Sequence, residues 1–129
     1  MINIRIRRII IIIAALSGTI INAIYAIGLL GAYFNPQYNN SIREILISAL
    51  VLEFGWAALL FSVIFKPFER CYLLLFTAIL MILGNFFHCM NQIIYSQGAA
   101  NKIALNLITG IVLAGLFVFV YFLGKGVES

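Results

Sequence analysis

Four apolar runs, each long enough to cross a bilayer and separated only by short polar breaks, govern what this chain can fold into. They occupy residues 9–34, 45–65, 71–95 and 103–124. A helix needs roughly 20 apolar residues to span the hydrocarbon at about 1.5 Å rise each, and every run meets that length. A soluble domain would have to cover its surface with charge, and such domains are about a quarter Asp, Glu, Lys and Arg. Here 9% of residues are charged, 64% are apolar, and the mean hydropathy is +1.13. The expected fold is all-α: one polytopic membrane domain over residues 1–129, built as an antiparallel four-transmembrane-helix bundle.

The breaks read "NPQYNNSIRE", "KPFER" and "SQGAANK". Connections this short make consecutive helices antiparallel neighbours. Pro36 and Pro67 fall within them, where a missing backbone N–H does no harm. Arg5, Arg7, Arg8, Lys66, Arg70 and Lys125 fall on one side of the bundle, and only Arg43 and Lys102 on the other. The positive-inside bias then predicts both termini in the cytoplasm. Arginines followed by an isoleucine run also resemble a signal peptide, but a signal core is about 7–15 residues long. This run continues to Phe34, so it is expected to be retained as a span.

The net charge of +4 does not indicate nucleic-acid binding, because the cations sit between apolar runs where topology signals lie. Cys71 and Cys89 are on one helix, about 27 Å apart at 1.5 Å per residue, which excludes a disulfide between them. One His and two distant Cys cannot close a four-ligand metal site. A haem on the lone His88 would need a second axial ligand from another copy of the chain. No Ser-His-Asp set, phosphate loop or HExxH motif occurs, so no catalytic residue is assigned and no cofactor is specified.

Two departures from apolarity remain. Glu53 lies near the middle of the second run, in "ALVLEFGWAALLF". A carboxylate at that depth is costly, and such groups face the bundle interior, find a partner or stay protonated. The third run carries "GNFFHCMNQ". On a helix Asn85, His88, Cys89 and Gln92 share one face, while Asn91 points elsewhere. Measured from the outer surface, Glu53 is about 12 Å deep, His88 about 10 Å and Asn85 about 15 Å. Asn22 and Tyr25 on the first run and Thr109 on the fourth reach comparable depth, with Asn106 closer to the surface. The candidate site is therefore Glu53, Asn85, His88, Gln92, Asn22 and Tyr25, in the outer half of the bundle. The cluster is either internal glue, with Glu53 paired to His88 or Asn85, or a ligand or proton site. Small residues at Gly28, Gly31, Gly84, Gly110 and Gly115 keep helix surfaces shallow for contact within the bundle or between subunits.

Several segments carry a resemblance. "GLLGAYFNPQ" closes the first run, "SIRE" opens the second with Gly55 after it, and "KPFER" follows. "GNFF", "SQG" and "TGIVLAGL" complete the set. The chain resembles the DoxX-like group of small four-span membrane proteins. That resemblance implies a compact four-helix bundle, sometimes the partner of a respiratory or redox enzyme, in a bacterial or archaeal cytoplasmic membrane. Asn85 stands where such proteins have a small polar residue or Arg, and His88 has no counterpart, so no residue role carries over. Small multidrug transporters also have four spans and one intramembrane Glu, but in the first span, where this chain has no acid.

The expectation is a non-enzymatic accessory or hydrophobic-ligand protein, taking a quinone or lipid against the polar cluster. The alternatives are a proton-coupled transporter titrating Glu53 and a purely structural subunit. Expected partners are the lipid bilayer and either a larger membrane complex or further copies of the chain.

Overall fold

A computed structural model describes residues 2–95 and 100–126. Every regular element among them is helical: α1 Ile4–Tyr33, α2 Asn40–Phe61, α3 Pro67–Arg70, α4 Tyr72–Ile94 and α5 Ala100–Gly124. Helices are what apolar sequence must form in lipid, since each satisfies its own backbone hydrogen bonds. Four stretches, Ile4–Tyr33, Asn40–Ile64, Pro67–Ile94 and Ala100–Gly124, are long and apolar enough to cross a membrane. The chain is an integral membrane protein.

Helices α1, α2 and α5 begin before their apolar stretches do. The Asn3 side chain caps α1 by accepting from Arg5 N at 3.0 Å, so Arg5, Arg7 and Arg8 lie on the helix. Asn39 caps α2 in the same way, accepting from Ile42 N at 3.0 Å, which places "SIRE" inside the helix. The "KPFER" break is also largely helical. Beyond Phe61 the chain tightens into a 3₁₀ turn at Ser62–Ile64, and Pro67 then opens α3 at the position where its missing N–H is harmless. Arg70 donates to Ser62 O at 3.2 Å and ties this corner together. The "SQG" of the last break lies outside the described residues, and Asn101 and Lys102 are already in α5.

Side-chain contacts fix the pairing. Near the α1–α2 turn Arg43 donates to Asn35 O at 3.3 Å, while far from it Gly18 faces Leu60. Asn85 reaches Asn106 and Leu107, while Gly124 faces Cys71. Thus α1–α2 and α4–α5 are two antiparallel hairpins. They join through a core of Ile11, Ala15, Leu60, Val63, Leu74, Ala78, Ala114, Phe117 and Val120. All of these lie toward the end that holds Arg5, Arg8 and Lys66. Burying this set against a second surface is what fastens one hairpin to the other.

Glycine is required where a neighbouring helix presses on it and dispensable where nothing does. A Cβ on Gly18 would stand 3.0 Å from Leu60 Cδ1 and 3.4 Å from Phe117 Cζ. At Gly28 and Gly31 it would meet nothing within 4 Å. Alanine at Gly28 and Gly31 is therefore expected to leave detergent stability unchanged or raise it by up to about 1 kcal/mol per site, the difference in helix propensity. Gly18→Ala should gain nothing, since Leu60 must give way. Thermal unfolding of the three variants separates the cases; a loss at Gly28 or Gly31 would mean that those faces are covered in the native assembly.

Candidate functional site

Toward the far end the hairpins do not fill the space between them. A cleft of about 780 Å³ opens there, and all four long helices line it. Its floor is built by packing and one hydrogen-bond relay. Trp56 Nε1 on α2 donates to Thr77 Oγ1 on α4 at 2.8 Å, and Thr77 in turn donates to Leu73 O at 2.7 Å. Gly18 and Phe117 border the floor from α1 and α5. Leu52 of α2 and Leu80 of α4 also line the cleft and are exposed, 73% and 51%.

Glu53, Asn85, His88, Asn22 and Tyr25 all line this cleft. They are not equivalent. Asn22 donates from Nδ2 to Gly18 O at 2.7 Å, one turn back on its own helix. Asn85 Nδ2 crosses to α5, donating to Asn106 O at 3.0 Å and, at longer range, to Leu107 O at 3.4 Å. Its role is visible: it fastens α4 to α5 at the cleft wall, opposite Gly110, whose missing side chain leaves it room. Gln92 does not line the cleft, and its Oε1 is buried without a hydrogen-bond partner among the described residues.

The expected pairing of Glu53 with His88 or Asn85 is not formed. Among the described residues the one ion pair is Lys66–Glu69, at 3.0 Å. Glu53 Oε2 is shielded from solvent and has no hydrogen-bond partner among them. Equal depth on two helices places groups at one height, but says nothing of the gap across the bundle. Here that gap is the cleft. Among the described residues no Lys or Arg lines it, so none of them sets a fixed cation beside the Glu53 carboxyl there.

No family model matches the chain, and no curated protein or solved structure matches it. The site therefore stands on its geometry.

Among the described residues no three His, Cys, Asp or Glu side chains gather as a metal site requires. The residues that sequence reasoning overlooked are Trp56 and Thr77. Each looks like ordinary span filler, yet a Trp N–H seldom goes unpaired in an apolar interior, and Thr77 is the hydroxyl that answers it. That requirement is the signal that points to a partner for Trp56 on a neighbouring helix.

Proposed function

We propose that this protein is a non-enzymatic membrane component whose cleft holds an amphipathic, lipid-soluble molecule such as a quinone or lipid. The observation that carries the proposal is the Glu53 carboxyl oxygen, without a hydrogen-bond partner among the described residues, beside an open cleft of about 780 Å³. A structural network would close its own hydrogen bonds, because an unsatisfied buried group costs about 1–3 kcal/mol. A volume of this order is typical of small-molecule sites, which are mostly apolar with a few placed polar groups. Trp56, Phe117, Leu52 and Leu80 supply the apolar wall, and Glu53, Tyr25 and His88 the polar contacts. The cationic end faces the cytoplasm of a bacterium or archaeon in this reading, with both termini inside, which puts the cleft in the outer half of the bilayer. An accessory role beside a redox enzyme, as the DoxX-like resemblance implies, is compatible with such a ligand.

Native mass spectrometry of gently extracted protein tests this directly. The wild type is expected to retain a lipid-soluble adduct, and Gly84→Leu to lose most of it. Gly84 lines the cleft and an added Cβ meets nothing within 4 Å, so leucine there takes up cleft space, and the variant's far-UV circular dichroism should match the wild type's. A wild type free of adduct, or equal adduct in both proteins, would sink the proposal.

The same lone carboxyl favours a second reading, proton-coupled transport. Proteoliposomes separate the two: a transporter shows substrate-driven proton flux that Glu53→Gln abolishes, and a binding protein shows none.

A further inference from the structure

The opposite end of the molecule carries a second cavity, independent of the cleft. It measures about 470 Å³ and is lined by Ile4, Arg5 and Arg8 of α1 and by residues 65–69 at the α2–α3 corner. Arg5 and Arg8 are three residues apart, so their side chains lie on one face of α1, a turn from each other. Lys66 faces them from the corner, already engaged by Glu69 at 3.0 Å. The cavity thus presents three cations against one carboxylate, and that carboxylate is committed to Lys66. Neither guanidinium forms a hydrogen bond or ion pair among the described residues. The rim is apolar: Ile4 is 52% exposed and Phe65 69% exposed, at the ends of helices that run into the membrane.

We propose that this cavity binds the phosphate head group of an anionic phospholipid. Two guanidinium groups on one helix face match the oxygens of a phosphate, for which Arg offers planar, paired N–H donors. A basic pocket between helix ends at the membrane surface is the setting in which anionic head groups are held, and Ile4 and Phe65 stand where the acyl chains of a bound lipid descend. A soluble phosphate would use the cations but gain nothing from that apolar rim. Lys66, paired with Glu69, contributes less than either arginine. The proposal does not depend on the reading of the cleft.

The test uses the full chain in neutral detergent, offered phosphatidylglycerol or phosphatidylcholine, with retained lipid counted by native mass spectrometry. Wild type is expected to retain phosphatidylglycerol preferentially. At roughly fivefold per cation, the double variant Arg5→Gln/Arg8→Gln should lose that preference by about twenty- to thirtyfold. The paired Arg5→Lys/Arg8→Lys variant should keep part of it, which separates a lost charge from a lost fold. Lys102→Gln, which removes one cation from the far end, should retain it in full. The proposal is overturned if wild type holds both lipids equally, if Lys102→Gln loses as much as the double arginine variant, or if millimolar inorganic phosphate displaces the lipid.

Discussion

Replacing Glu53 by leucine is expected to stabilise the empty protein while weakening its hold on the ligand. On the proposed reading the two effects have opposite signs, because the carboxyl would serve the ligand and not the bundle. In the empty cleft, Glu53 Oε2 is buried without a hydrogen-bond partner among the described residues. Removing such a group relieves a cost of about 1–3 kcal/mol, and leucine puts a slightly shorter, wholly apolar side chain in its place. The same change removes the polar contact to the ligand head group. One hydrogen bond there is worth about 1.5 kcal/mol, so retention should fall about tenfold. Glu53→Gln should fall between parent and leucine variant on both measures. Unfolding of delipidated protein gives the first quantity, and titration followed by fluorescence gives the second, since Trp56 is the single tryptophan and borders the cleft. If the empty leucine variant is less stable than its parent, Glu53 belongs to an internal network and the binding proposal loses its support.

Gly110→Ala is expected to be among the most damaging small substitutions in the chain. Its Cβ would run into the Asn85 amide nitrogen and stand 2.7 Å from Asn85 Cγ. Asn85 cannot retreat without leaving the carbonyls of Asn106 and Leu107, to which it donates. Overpacking costs about 1–3 kcal/mol and each interhelical hydrogen bond is worth about 0.6 kcal/mol. Alanine returns up to about 1 kcal/mol of helix propensity, leaving a net loss of about 2 kcal/mol. Asn85→Ala in the same chain should restore most of it, because both carbonyls lie within α5 and keep their place in its ladder. Unfolding in detergent of the two single variants and the double variant yields the coupling. If the three losses simply add, Asn85 and Gly110 do not meet as described.

The four long helices were legible because hydropathy alone marks a span. Their ends were not, for a physical reason. Arg5, Arg7 and Arg8 interrupt an apolar run, but they do not interrupt a backbone hydrogen-bond ladder, so α1 continues through them to the Asn3 cap. The second cap, Asn39, accepts from Ile42 N and likewise carries α2 back into the polar break. The polar stripe was an angular statement about one helix. Yet one helix face looks onto a seam, so Asn85 and Cys89 turn to α5 while His88 borders the cleft. Small residues showed the same divide. Gly18 and Gly110 are each pressed by another helix, whereas Gly28, Gly31, Gly84 and Gly115 meet open space. Composition marks where close approach is permitted; only the arrangement of helices decides where it is used.

On the proposed reading a lipid-soluble ligand reaches the cleft past the exposed Leu52 and Leu80, and that changes how occupancy has to be measured. A molecule entering there diffuses in two dimensions through the leaflet and never becomes an aqueous solute. Its saturation is set by mole fraction among the surrounding lipids, so diluting the sample with buffer leaves the bound fraction unchanged, while diluting it with lipid or detergent empties the site.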